Sequence, residues 1–274
     1  MNQETFETFK EFIESNLGIR IPQTKKIMLE SRLAKRLRAL KIPTYEDYCE
    51  YVFSDEGFDR EIQQLIDVVT TNETDFFRES HHYDLMEKRI LPELIGKNGV
   101  ESLNVWSVAA STGQEAYTIA MVLEEFRKAS RPFKYSILGT DISETVLRVA
   151  HGGIYTERQA EKIPSRMKRE YCLQNRDPDQ KTIRMKPEIR EHVRFRRLNL
   201  MDSSYPIQKK YHIVFCRNVF IYFDKPTQLM VLERIHSHMA PGGYLFMGHS
   251  ENLGNSSLPL KNIASAVYRN EAED

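Results

Sequence analysis

From residue 6 to about residue 80, apolar positions recur at helical spacing in short stretches divided at Pro22, at Ile42-Pro43-Thr44 and over residues 54–57. This predicts four or five short helices. In the second of them Leu29, Leu33, Leu37 and Leu40 fall at i, i+4, i+8 and i+11, one stripe that packs inward. After Pro92 the pattern changes. Apolar runs rich in β-formers at 103–109, 135–140, 193–198, 212–216 and 244–247 alternate with helical segments at about 114–128, from Ser143 onward and at about 225–239. Such alternation predicts an α/β fold with a parallel, doubly wound sheet and right-handed crossovers. Residues 154–191 interrupt it. They are polar, hold Pro164, Pro178 and Pro187, and contain one β-like piece at 181–185, so they read as a small inserted subdomain, partly β.

Charge sharpens this picture locally. The 39 basic and 39 acidic side chains cancel, so no global field recruits nucleic acid or a membrane surface. Residues 20–41 carry eight basic side chains (Arg20, Lys25, Lys26, Arg32, Lys35, Arg36, Arg38 and Lys41) against the single acid Glu30. The outer face of the second helix is therefore expected to be strongly positive. The 274 residues, 41% hydrophobic, suffice for one large or two modest domains. Cys49, Cys172 and Cys216 are odd in number and form no C-x-x-C pair, which speaks against a disulfide framework or zinc site and fits a reducing compartment. The N-terminus carries acids where a secretory signal would carry bases, and no apolar stretch approaches the roughly 20 residues that span a bilayer. The expectation is a cytoplasmic protein without membrane insertion. His236 and His238 stand at i and i+2, roughly 200° apart on a helix, and His81 and His82 also diverge, so no metal site is expected.

In an open α/β sheet, ligands bind beyond the carboxyl ends of the strands, so the residues just after each strand carry the chemistry. After the first strand comes AASTGQE, residues 109–115, with small side chains and Gly113 alone in place of a G-x-G-x-x-G fingerprint; pyrophosphate binding is disfavoured. After the second comes Asp141, which either caps the following helix or accepts hydrogen bonds from both hydroxyls of a ribose. A ligand with a ribose and no diphosphate fits S-adenosylmethionine, in which a zwitterionic amino acid replaces the phosphates. The fourth strand ends in Cys216, Arg217 and Asn218 and runs on to Tyr222, a polar cluster and a phenol that need polar partners beside the core residues Phe220, Ile221 and Phe223.

Five ordered segments, TTNETDFFRE at 70–79, WSVAASTGQEAY at 106–117, GTDIS at 139–143, CRNVFIYFD at 216–224 and GHSEN at 248–252, resemble the chemoreceptor glutamate methyltransferases, the CheR-type family. The resemblance covers nearly the whole chain. It implies a helical N-terminal domain at 1–80 that docks receptors. It also implies a Rossmann-like methyltransferase domain at 81–274, with an antiparallel β-subdomain inserted at about 155–192. By the same resemblance Asn72, Thr74 and Arg78 reach S-adenosylmethionine from the interdomain linker, and Glu115 and Asp141 hold polar groups of its nucleoside and amino-acid parts. Asn199 and Leu200, with Cys216, Arg217 and Asn218, line the adenine and methionine sides. Arg78 and Tyr222 are the implied catalytic pair at the transferred methyl. Two positions depart from the family pattern: Gln114, where many relatives have a second acid, and Asp75, where a small residue or His is frequent.

The implied reaction is esterification of glutamate side chains of methyl-accepting chemotaxis receptors, leaving S-adenosylhomocysteine and using no metal. The implied partner is a glutamate-rich helical coiled coil and, in some relatives, a receptor C-terminal peptide added as a strand to the β-subdomain. Methyltransferases that act on exocyclic amines of bases often carry a D/N-P-P-Y/F turn after the fourth strand, where this chain has CRNVFIY; a nucleic-acid substrate is not expected. The competing class of function is a non-catalytic adenosylmethionine-binding module of a signalling array. Loss of Arg78 or Tyr222 would favour it, and both are present.

Overall fold

The computed structural model describes residues 1–177, 179–254 and 256–272. Pro178, one of the breaks in the inserted stretch, and the last two residues of the expected methyltransferase domain lie outside the described residues. The chain opens with four helices: α1 (Gln3–Leu17), α2 (Lys26–Leu40), α3 (Tyr45–Val52) and α4 (Asp55–Val69). Their starts are written in the sequence: Asn2, Thr44 and Ser54 accept the N–H of Thr5, Asp47 and Gly57 as N-caps. Leu29, Leu33 and Leu37 of α2 are buried and Leu40 is half-buried against Phe6, Phe9, Ile13, Tyr48 and Leu65. Each such large side chain withdrawn from water contributes about 1.5–3 kcal/mol.

The helical pattern predicted to about residue 80 stops at Val69. Residues 70–80 are irregular chain, because Thr70, Thr71, Asn72 and Thr74 offer the backbone local hydrogen bonds that compete with a helix, and Phe77 and Glu79 adopt φ of +53° and +52°. A helix follows that the sequence pattern did not separate. It begins as α5 (His81–Leu85) and continues in wider turns over Met86–Ile90 and Pro92–Lys97, with the N–H of Leu91 reaching back to Met86 O.

The remaining elements are β1 (Ser102–Val108), α6 (Gln114–Ala129), β2 (Lys134–Asp141), α7 (Glu144–Gly152), β3 (Ile154–Thr156), α8 (Ser165–Tyr171), β4 (Cys172–Gln174), β5 (Thr182–Met185), α9 (Pro187–Arg190), β6 (Val193–Arg197), β7 (Tyr211–Cys216), α10 (Lys225–His236), β8 (Met239–Met247), β9 (Leu260–Ala264) and β10 (Val267–Asn270). The seven-stranded sheet runs β6-β2-β1-β7-β8-β10-β9. Its first five members are parallel, but β10 is antiparallel to both β8 and β9. The parallel, doubly wound part is as expected, and an antiparallel hairpin at one edge makes the whole sheet mixed. The hairpin leaves little trace in the sequence because β9 is short, only partly buried and carries no strong apolar alternation.

Side chains alternate across the sheet as the pleat demands. Leu103, Val105, Ile137, Ile213, Phe215 and Phe246 face the helix at 81–97, α6 and α7. Trp106, Val108, Val214, Cys216, Leu245 and Met247 face α10. The interruption at 154–191 contains a separate three-stranded antiparallel sheet, β3-β5-β4. It is fastened to α6 where Glu125 receives Arg166 and Tyr171 and Lys128 pairs with Glu170. No helix of the described residues is long and apolar enough to cross a membrane.

Candidate active site

The strands of the parallel part, taken in chain order, stand as 3-2-1-4-5, with the reversal between β1 and β7. That switch point is where ligands bind in open α/β sheets. A cavity of about 280 Å³ lies beyond it. Its walls come from the chain just after β1 (Ala109, Ser111), β2 (Asp141, Ile142), β6 (Leu198 to Leu200) and β7 (Arg217 to Tyr222), from the linker (Asn72, Arg78), and from the helical domain.

The loop after β1 is shaped to bring main chain close to a ligand. Ala109 and Ser111 sit at φ of +52° and +50°, a region costly for residues with a side chain, and Gly113 at +92°. A Cβ at Gly113 would lie 2.9 Å from Ala150 Cβ and 3.0 Å from Phe195 Cζ, so only glycine fits. Asp141 closes the loop: Oδ2 accepts the N–H of Ser111 at 2.8 Å and Oδ1 that of Ser143 at 3.0 Å. Ser143, not Asp141, caps α7, accepting from Val146 N–H. Burial pushes the Asp141 carboxyl above its usual range, against the opposing pull of these backbone donors. A carboxylate has about four acceptor positions, so lone pairs remain for the hydroxyls of a ribose.

Of the residues implied by resemblance, Asn72, Arg78, Asp141, Asn199, Leu200, Arg217, Asn218 and Tyr222 line the cavity together. Thr74, Glu115 and Cys216 do not line it, and the last two are buried behind the wall. Cys216 is the last residue of β7 and shares the face of Val214, so its thiol points into the core under α10; burial holds its pKa well above the ordinary value. Glu115 accepts from Ser107 Oγ at 2.6 Å and from Arg217 Nε at 2.7 Å. Arg217 in turn donates to Arg78 O at 2.8 Å and to Tyr83 Oη at 3.0 Å, with His82 Nδ1 at 3.3 Å. Burial works against its charge, but Tyr83, Glu115 and Glu79 outweigh it and raise its pKa. Arg217 therefore fixes the linker that presents Arg78. The Arg78 guanidinium contacts only Glu73 O, at 3.1 Å, among the described residues. Asn199 is also engaged, donating to Asn16 O of α1 at 2.8 Å and accepting from Met201 N–H.

The helical domain supplies part of this wall, which no local pattern foretold. Arg20, Lys25, Met28 and Arg32 line the cavity. The N–H of Arg20 donates to Tyr222 O at 2.9 Å, and Arg32 holds Val69 O and Thr71 Oγ1. Their basic character was legible, but their position against the carboxyl ends of the strands is a matter of domain packing. Glu251, inside the quoted GHSEN segment, also went unassigned. Its Oε2 takes the N–H of both Asn218 and Gly248, and a buried acid three residues after a strand-ending glycine is the signal that could have marked it.

The donor set suits adenosylmethionine. An acid follows β2, apolar Ile142, Leu198 and Leu200 offer faces for a base, and main chain in left-handed conformation replaces a diphosphate cradle. With the reversed hairpin at the end of the sheet, these are marks of the Rossmann-like, adenosylmethionine-dependent methyltransferases. The chain belongs to the CheR methyltransferase family: residues 4–70 match its all-alpha domain and residues 72–269 its SAM binding domain. It is 38% identical over 262 residues to a chemotaxis protein methyltransferase of Borreliella burgdorferi, covering 94% of this chain and 90% of that one. It is 35% identical over 266 residues to chemotaxis protein methyltransferase 2 of Pseudomonas aeruginosa, covering 97% and 92%. With the chemotaxis protein methyltransferase of Escherichia coli it shares 33% identity over 263 residues, covering 96% and 89%.

Proposed function

We propose that the chain methylates glutamate side chains of methyl-accepting chemotaxis receptors, using S-adenosylmethionine in the cavity at the switch point. The observation that carries this reading is the convergence of Arg78 from the linker and Tyr222 from the chain after β7 on one cavity whose helical wall is basic. A cation and a phenol on one cavity suit a carboxylate acceptor better than an amine.

Bound adenosylmethionine supplies a methyl group already activated on a sulfonium, which a glutamate oxygen takes as the carbon–sulfur bond breaks and its electron pair returns to sulfur. A glutamate with a reference pKa near 4.3 is an anion at neutral pH, so the chain needs no general base. Its task is alignment, which can supply roughly 7–11 kcal/mol of the barrier. Arg78 offers a guanidinium fork to the carboxylate and Tyr222 a phenolic donor. Asp141 and the loop 109–113 hold the nucleoside, and Arg217, Glu115 and Glu79 keep the linker in place.

Arg78→Lys and Tyr222→Phe should each lower kcat roughly tenfold to a hundredfold, the effect of losing one charge-assisted hydrogen bond, with little change in stability. The deciding experiment transfers labelled methyl to chemoreceptor-containing membranes and then treats them with mild alkali. Volatile, base-labile label identifies a glutamyl ester. Stable label assigns another acceptor atom, and cofactor binding without transfer to any receptor tested favours the non-catalytic module. Receptor docking is assigned to the exposed basic face of α2. The edge strands β3 and β4, which carry half-exposed Ile154 and Leu173, are the places where a receptor peptide would add as a strand.

A further inference from the structure

A buried carboxylate ties together two loops at the carboxyl end of the sheet, and no step of the proposed reaction uses it. Glu251, in the turn after β8, is 7% exposed. Its Oε2 accepts the N–H of Asn218 at 2.8 Å and the N–H of Gly248 at 2.7 Å. One oxygen thus joins the chain after β7 to the chain after β8 by two charge-assisted bonds.

Asn218 is the residue that profits. It sits at φ +60°, a left-handed conformation uncommon for residues other than glycine, though asparagine adopts it more readily than most. Its side chain lies across Gly248, where a Cβ would come within 2.7 Å of Asn218 Nδ2 and 2.9 Å of its backbone N. Glu79 Oε1, an acceptor only, is 3.5 Å from Nδ2, which sets the carboxamide's orientation: the NH₂ group faces Glu79 and Oδ1 turns the other way. Among the described residues no donor engages Oδ1. Asn218 lines the cavity, between Arg217 and Tyr222, while Glu251 does not.

We propose that Glu251, with Gly248, is a positioning residue for methyl transfer. It acts through Asn218, fixing the carboxamide as part of the wall where the reacting groups meet. An oxygen that accepts twice is needed because two N–H groups converge on it in the interior. A glycine is needed beside it because any side chain would displace Asn218. This inference rests on placing the cofactor and acceptor in the cavity at the switch point. If Glu251 were only a turn fastener, its loss would lower stability and leave the folded protein's chemistry alone.

The test compares Glu251→Ala, Glu251→Gln and Gly248→Ala in the full chain by three readouts: hydrogen exchange of the Asn218 and Gly248 amides, calorimetric affinity for adenosylhomocysteine, and kcat and KM with receptor membranes. Glu251→Ala should expose both amides to exchange, weaken product binding about fivefold at a stoichiometry still near one, and lower kcat about tenfold or more with KM for the receptor little changed. Glu251→Gln keeps an oxygen that accepts both N–H groups and should retain kcat within about threefold. Gly248→Ala places a Cβ 2.7 Å from both Asn218 Nδ2 and Glu251 Oε2, so it disturbs the same tie from the other side and should lose rate as Glu251→Ala does. If Glu251→Ala does not fold, Gly248→Ala decides. Wild-type kcat and product affinity in either alanine variant overturn the proposal. Failure of the wild type to methylate any receptor would instead count against the acceptor, and product affinity with amide exchange would still judge Glu251.

Discussion

Among single residues, Arg217 has the widest reach. Its guanidinium is nearly fully buried and ties α6, through Glu115, to the linker and α5, through Arg78 O and Tyr83. Removing one member of such a pair leaves an uncompensated charge in the interior. Glu115→Ala should therefore lower unfolding free energy by about 3–5 kcal/mol in urea titrations, and Glu115→Gln, which keeps an acceptor for Nε, by distinctly less. Equal losses would mean the charge is unimportant there.

The same cluster gives the fold a pH dependence. Burial, then the Arg217 cation, hold the His82 pKa at about 4, below its ordinary 6.5. Above pH 6.5 the ring is neutral in both folded and unfolded chain. Between 6.5 and 4 the unfolded chain takes up a proton that the folded one refuses, so stability falls with pH and levels off below 4, a loss of at most about 3 kcal/mol. His82→Asn keeps an acceptor for Arg217 and cannot titrate. Its urea midpoint should fall less steeply than the wild type's between pH 6.5 and 4, and parallel curves would remove His82 from the account.

For the individual elements, the loop between β1 and α6 shows how sequence and structure divide the work. Its small residues and single glycine argued for close main-chain approach, and the backbone at Ala109, Ser111 and Gly113 is left-handed. Gly113→Ala must place a Cβ against Ala150, Phe195 and Tyr155 at φ +92°. It should cost about 1–3 kcal/mol in stability and weaken adenosylhomocysteine binding, measured by denaturation and calorimetry. The parallel strands, α6 and α7 were legible because each buries an apolar run between turn-forming residues, whereas the inserted piece showed itself as a polar, proline-broken interruption with one β-like stretch. The hairpin of β9 and β10 was not, since β10 draws its burial from the neighbouring β8 rather than from alternation of its own. Charges mislead in a similar way: Arg32 and Arg36 look like parts of one basic face. Arg36 turns to the buried Glu61 at 2.7 Å and Arg32 to the end of α4, pairings between distant segments that local pattern cannot foretell.

Over the whole molecule, the helical domain and the sheet share one cavity. Arg20 touches the main chain of Tyr222, Asn16 O receives Asn199, and a Cβ on Gly18 would meet Met201, so a partner seated on α2 rests on a helical domain whose α1 and α1–α2 connection already touch the proposed catalytic wall. With Arg32 and Arg36 held internally and Lys26 half-buried over the Phe6 ring, Lys35 and Arg38 are the exposed cations of α2 that can meet an acidic helix. Reversing both to Glu sets like charges against that surface and should raise KM for receptor membranes about tenfold at low salt. Neither residue approaches the cavity, so kcat at saturation and adenosylhomocysteine affinity should hold. Added salt should slow the wild type at subsaturating receptor and narrow the gap between the two proteins, because exposed charges are screened over about 10 Å at 0.1 M. An unchanged KM would place docking on another face, and a fall in product affinity would mean that α2 shapes the cofactor site itself.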